Sequence, residues 1–201
     1  MTRTAVAVGR DASYKEIVAL MDEWKVSALP VVAGEGRVIG VVSEADLLPK
    51  EEFRTDEPRP DEFDAASKAG AVRAGELMSS PAVTVHPDAT LAEAARIMAT
   101  RRVKRLPVVD GIGMLEGVVS RSDLLKVFLR TDAEVEEDIR RSVLGEPATP
   151  PGLDVTVADG VATIRGLLSD RSMVPLVARA VWAVEGVVDV RMDLGVPRGA
   201  P

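Results

Sequence analysis

The chain contains no cysteine. Disulfides, thiol catalysis and cysteine-built zinc sites are therefore excluded. Its single histidine, His86, makes a histidine-based metal site unexpected. Aromatics are scarce at 3%, yet 46% hydrophobic residues over 201 positions allow one large or two modest cores. No apolar run approaches membrane-spanning length and no leader precedes the first patterned segment, so a soluble cytoplasmic protein is expected. Basic charge is in deficit: the net charge is -7 and the pI about 4.9. That balance argues against nucleic-acid binding through general electrostatics, although it permits a local basic patch. A Walker loop and a dinucleotide glycine fingerprint are both missing, and no nucleophile–base arrangement or acid–base carboxylate pair stands out. No catalytic or metal-ligating residue is assigned, and an enzyme is not expected.

What the chain does have is an internal repeat. Val8–Leu48 and Val85–Leu125 register without a gap at an offset of 77 positions, with about half of the residues identical. Val26-x-x-Leu29-Pro30-Val31-Val32 meets Val103-x-x-Leu106-Pro107-Val108-Val109, and Gly40-Val41-Val42-Ser43-x-x-Asp46 meets Gly117-Val118-Val119-Ser120-x-x-Asp123. A unit used twice predicts a pseudo-twofold pair with a shared cleft.

Each copy predicts the order β-α-β-β-α. In the first copy, Thr4–Val8 is β-prone. Ser13–Glu16 and Thr90–Glu93 have capping-box form, followed by apolar residues at helical spacing (Tyr14, Ile17, Val18, Met21; Leu91, Ala94, Ala95, Met98). Leu29–Val32 and Arg37–Val42 read as a hairpin around Gly34-Glu35-Gly36, and Ser43 opens a helix. The lead-in Val72–Leu77 precedes only the second copy, so the first copy either lacks that cover or starts upstream of Met1. Residues 49–71 are acidic and proline-containing and predict a partly flexible, solvated connection, with Phe53 and Phe63 as possible pins.

Beyond Leu125 the helix is expected to run through Phe128 and Leu129. Thr131–Glu134 is a third capping box, with Val135, Ile139 and Val143 at helical spacing and Gly145 as a stop. Glu146–Gly152 is a linker. A hairpin turns at Asp159-Gly160, and a helix carries Val174, Val177, Ala178 and Val181 on one face, with Pro175 tolerated only near its start. Gly186 ends that helix, and Val188, Val190, Met192 and Leu194 alternate as a last strand. The tail after Gly195 should fray.

The two copies resemble the CBS domain, in tandem as a CBS pair. VSALPVV (Val26–Val32), RLPVVD (Arg105–Asp110), GVVSEADLL (Gly40–Leu48) and GVVSRSDLL (Gly117–Leu125) carry the resemblance, with Glu76-Leu77-Met78 and Pro87–Leu91. The last segment, through DVTVADGVATIRGLL and EGVVDVRMDL, resembles a BON domain. The implied fold class is α/β: two pseudo-twofold-related β-α-β-β-α repeats plus a small α+β domain of order α-β-β-α-β. The implied boundaries are residues 1–48, an acidic linker 49–71, 72–130, a BON-like domain 131–195 and a tail 196–201.

The resemblance implies a regulatory module that binds an adenine nucleotide or adenosyl compound (AMP, ADP, ATP or S-adenosylmethionine) and couples it to the BON unit. The alternative is a ligand-free homodimeric scaffold presenting BON units to a membrane surface or protein partner. In the family the base pocket of one repeat joins the Ser-x-x-Asp of the other. One expected site therefore combines Ser43 and Asp46 with Arg102, Val103, Lys104 and Arg105. The other combines Ser120 and Asp123 with Lys25, Val26, Ser27 and Ala28. In each, the aspartate would accept from a ribose diol, while the helix start and serine would meet phosphate. The basic cluster predicts that a di- or triphosphate prefers the Asp46 site. Glu44 opposes that preference, and Arg121, at the matching position, would assist phosphate at the Asp123 site. Both Ser-x-x-Asp segments also suit a purely structural N-cap.

Overall fold

A computed structural model describes residues 5–54, 63–147, 149–168 and 170–195. The expected fraying of the tail after Gly195, the Thr4 end of the first strand and the pinning side chain of Phe63 lie outside what is described. The chain divides into two compact units, Met1–Leu124 and Leu125–Pro201. No helix among the described residues is long and apolar enough to cross a membrane.

The first repeat begins with β1 (Val8–Gly9) and α1 (Tyr14–Glu23). Ser13 Oγ accepts from the Glu16 amide at 3.3 Å and Glu16 Oε2 accepts from the Ser13 amide at 3.4 Å, closing the capping box. Ile17 and Met21, four residues apart, form the buried face. Antiparallel β2 (Ala28–Ala33) and β3 (Arg37–Ser43) follow, with β1 parallel to β2 and a bulge between Val31 and Val32. Then come α2 (Glu44–Leu47), α3 (Pro49–Glu52), α4 (Phe63–Gly70) and α5 (Ala74–Leu77).

The second repeat reproduces this at the same offset: α6 (Leu91–Arg101), β4 (Arg105–Val109), β5 (Leu115–Ser120) and α7 (Arg121–Leu125). Its bulge falls between Val108 and Val109, and its first strand is reduced to the parallel bridge Val85–Val108, the counterpart of Val8–Val31. Thr90 Oγ1 accepts from the Glu93 amide at 3.2 Å, but α6 lacks the reciprocal arm of the box seen at α1. Two reciprocal bonds relate the repeats: the Val38 amide donates to Gly113 O at 3.0 Å and the Leu115 amide to Gly36 O at 3.1 Å. Each partner pair is equivalent under the offset, so the contact is isologous and the expected pseudo-twofold is present.

Two expectations about the connection change. The lead-in before the second repeat covers the first. Ala71, Ala74 and Leu77 sit in the core with Val8, Ile17, Leu29 and Val42, and the Ala74 and Gly75 amides donate to Ala12 O and Arg10 O. The apolar lead-in completes the side of the first repeat that its own sequence leaves open. Residues 49–71, in turn, are not merely a solvated spacer, because α3 and α4 form at its two ends. Lys50 Nζ donates to Ala69 O at 2.8 Å and lies 5.3 Å from the Tyr14 ring centroid, and Lys68 pairs with Asp46. One ion pair, one hydrogen bond to a carbonyl and one cation–π contact tie these short helices to the first repeat and to each other.

In the second unit, α7 passes into a 3-10 turn (Lys126–Leu129), so the expected continuous helix tightens at Phe128 and Leu129. The Thr131–Glu134 box opens α8 (Asp132–Ile139), which ends in a wider π turn over Arg140–Leu144, and Val135, Ile139 and Val143 are all buried. The hairpin β6 (Leu153–Ala158) and β7 (Val161–Leu167) turns at Asp159 and Gly160, with φ of 50° and 73°. Asp132 accepts from both turn amides, at 2.9 and 2.8 Å, and ties the hairpin to α8. After α9 (Val174–Trp182), with Pro175 in its first turn, β8 (Asp189–Gly195) joins β7 in parallel. Val187 is buried, while Val188, expected in the last strand, precedes it and is 52% exposed.

Several carboxyls are held below their usual range by donors. Glu134 is held by the Thr131 amide and then its hydroxyl, Asp138 by Arg130, Glu76 by the Val72 and Arg73 amides, and Asp110 by the Met114 amide. A depressed folded-state pKa contributes stability above the unfolded value of about 4, and that contribution is lost as pH falls through the folded value. Urea midpoints should therefore be flat from pH 7 to about 5 and fall below about 4. A midpoint that is constant, or that rises, down to pH 3 contradicts these contacts.

Candidate ligand site between the repeats

The repeat places the same backbone device at both cleft edges. Lys25 and Arg102 end α1 and α6 in left-handed conformation, with φ of 51° and 55°. For a residue with a side chain this costs about 1–2 kcal/mol. It turns the chain sharply, so that residues 26–28 and 103–105 run along the cleft. The Glu44 amide then donates to Ser27 O, and at the equivalent position the Arg121 amide donates to Lys104 O, both at 3.1 Å. Each Ser-x-x-Asp is thus strapped to the edge segment of its own repeat.

A cavity of about 250 Å³ opens where the two edges meet. Ser43, Glu44 and Asp46 line one side, and Arg102, Val103, Lys104 and Arg105 the other, joined by Ser27 and Ala28. Val41, Pro81, Ala82 and Val83 supply apolar wall. The volume lies just below the roughly 300–1,000 Å³ usual for small-molecule sites. The mouth of the cavity carries the basic side chains. Arg102 and Lys104 are exposed there, and Arg105 is half-buried.

The residues expected around Ser43 and Asp46 are therefore brought together. Those expected around Ser120 and Asp123 are distributed differently. Ser27 and Ala28 line the cavity just described. Lys25 and Val26 line an adjoining, more open groove of about 530 Å³ with Tyr14, Val18 and Leu48, which Ser27, Glu44 and Arg105 also border and where Lys25 pairs with Asp22 at 2.8 Å. Ser120, Arg121 and Asp123 line neither cavity. Arg121 donates to Val103 O at 3.2 Å, an anchoring contact within its own repeat.

Both Ser-x-x-Asp segments close on themselves. Asp46 Oδ2 accepts from the Ser43 amide and hydroxyl at 2.8 and 2.6 Å, and Asp123 Oδ2 from those of Ser120 at 3.0 and 2.6 Å. The serines therefore spend their donors on their own carboxylates, and the cations that line the cavity are Arg102, Lys104 and Arg105. Asp46 is 8% exposed, the one buried charged residue among those described.

The CBS-domain family model matches residues 1–50 and 74–130, together more than half of the chain. The chain belongs to the CBS-domain family. Its repeats form a CBS pair, and residues 131–197 match the BON domain. An uncharacterized protein of Methanopyrus kandleri is 32% identical over 126 residues, covering 63% of this chain and 59% of that protein. Across three archaeal relatives the matched share of the relative's own length runs from 34% to 86%. Among solved structures, Arabidopsis thaliana CBSX2 in complex with AMP is 29% identical with a TM-score of 0.56, covering 63% of this chain and 89% of that one. The CBS domain pair of protein MJ0100, in complex with 5′-methylthioadenosine and S-adenosyl-L-methionine, has a TM-score of 0.52 at 19% identity, covering 64% of this chain and 90% of that one, and shows the common fold.

Sequence reasoning missed Lys68, Ser79 and the Pro81–Val83 wall of this CBS cleft. Ser79 pairs with Val41 through two backbone bonds, extending the first repeat's sheet. The cue was the proline beside the short β-prone run Val83–Val85, aligned by the offset with the start of the first repeat.

Proposed function

We propose that this protein is a regulatory module that takes an adenine nucleotide or related adenosyl compound at the Asp46 cleft and communicates its occupancy to the BON unit. One observation carries the reading. Three cations, an apolar wall and a buried carboxylate converge on a single nucleoside-sized cavity. The base lies against Val41, Val103 and Val83, the ribose diol reaches Asp46, and the phosphates meet Arg102 and Lys104. Glu44 on the same rim sets a limit on phosphate charge. The similarity to CBSX2, whose structure contains AMP, supports the ligand class. The module acts as a sensor only if the ligand binds its two states with different affinities.

A ligand-free scaffold is the second reading. It is favoured by the fact that Asp46 already accepts from Ser43, Lys68 and Ser79. Calorimetric titration of the full chain with AMP, ADP, ATP and S-adenosylmethionine separates the two. Saturable heat with at least one of them is expected. The double substitution Arg102→Ala, Lys104→Ala should weaken AMP or ATP by about 10- to 100-fold, as expected for lost charge-assisted bonds, while leaving adenosine unchanged. No heat with any of the four at millimolar concentration leaves only the scaffold.

A further inference from the structure

Asp46 is enclosed by donors from three separate segments. Ser43 supplies two to Oδ2, while Lys68 Nζ and Ser79 Oγ both reach Oδ1, the latter at 3.4 Å. A carboxylate offers about four acceptor positions, so this one is full. A ribose diol needs two of them. The Ser43 bonds form the start of α2 and cannot leave without unwinding it. Lys68 can leave. Its ammonium sits on a flexible four-carbon stem, its side chain is 26% exposed, and water readily rehydrates it. It also comes from a different part of the fold, α4 in the connection between the repeats. There its carbonyl accepts from the Ala71 amide and its neighbour Ala69 holds Lys50.

We propose that Lys68 is a latch that a ligand must displace. This rests on the nucleotide reading above and adds a regulatory step to the same site. In the unliganded chain the ammonium neutralises Asp46 and ties α4 to α2. A ribose diol donating to Asp46 releases Lys68, and α4 loses its ionic tether. The inter-repeat connection thereby reports occupancy. The closed latch also weakens apparent affinity, because only the open fraction of molecules is competent to bind.

The test uses the full-length protein and the variants Lys68→Ala and Lys68→Arg, titrated with AMP, ADP, ATP and S-adenosylmethionine. Lys68→Ala should bind about threefold to tenfold more tightly than wild type, and Lys68→Arg about as wild type. Amide exchange over residues 63–70 should rise when the wild type is saturated, and should already be fast in unliganded Lys68→Ala. Equal or weaker binding by Lys68→Ala, or exchange over 63–70 that slows on saturation, overturns the latch and leaves the nucleotide site standing. Absence of binding to both wild type and Lys68→Ala overturns the two together. Binding by Lys68→Ala alone supports both.

Discussion

Replacing Asp46 with alanine should reduce adenosine-ligand affinity by at least about 100-fold, the loss expected when two bonds to a charged acceptor disappear. It should also destabilise the first repeat, though by much less. Ser43 loses the acceptor of its amide and hydroxyl, and loss of such a cap costs about 1 kcal/mol. Lys68, partly exposed, returns to water at little cost. The imbalance makes the experiment decisive. A protein that keeps its circular dichroism and loses its titration heat has lost a ligand contact, not a fold. Asp123→Ala removes the equivalent box without touching the cleft of Asp46, so it should leave that titration nearly unchanged. If Asp46→Ala binds like the wild type, the diol is held elsewhere and the carboxylate serves only to cap α2 and anchor α4.

How much of this was legible in the sequence follows from which interactions repeat. Strands, bulges and Ser-x-x-Asp boxes recur at one offset, so the duplicated pattern displayed them twice. The left-handed turns at Lys25 and Arg102 recur as well, but no residue type announces them, since both positions hold long basic side chains. What occurs once was hidden. Lys68 reaches Asp46 across 22 positions from a charged stretch with no periodicity. Ala71, Ala74 and Leu77 precede the second repeat yet complete the core of the first, and adjacency in sequence pointed the wrong way. The duplicated motif predicts two sites, and only the basic cluster at residues 101–105 sets the Asp46 site apart from the other. The structure gathers the Asp46 set into one cavity, where Ser79 and Pro81–Val83 contribute wall on that side. In the C-terminal unit, alternation gave the face of β8 correctly but not its first residue. Gly186, with φ of 98°, turns Val187 into the core and leaves Val188 outside.

Gly166→Ala should unfold the C-terminal unit selectively. Gly166 has φ of 140°, and a Cβ there would lie 2.2 Å from Gly152 O and 3.1 Å from Leu153 Cα. These are backbone atoms of the first residue of the paired strand and of the turn residue before it, so no side chain can swing aside. Conformational strain and the forced shift together should cost about 3–5 kcal/mol. For a unit of this size that is a fall of roughly 15 °C or more in melting temperature. Gly9→Ala is the control: its φ is unrestrictive and a Cβ there meets nothing within 4 Å, so it should be nearly neutral. Trp182 reports on the C-terminal unit and Trp24 on the CBS pair, so fluorescence in a Trp24→Phe background isolates the affected transition. A shift below about 0.5 kcal/mol would mean that β6 and β7 pair in another register. The variant also measures communication between the units. Between the lowered melting point of the C-terminal unit and that of the CBS pair, ligand affinity at the cleft can be compared with and without a folded BON domain. A coupled sensor must show different affinities, and the ligand must shift the BON melting temperature reciprocally. Identical affinities would make the cleft a binding site with no line to the BON domain.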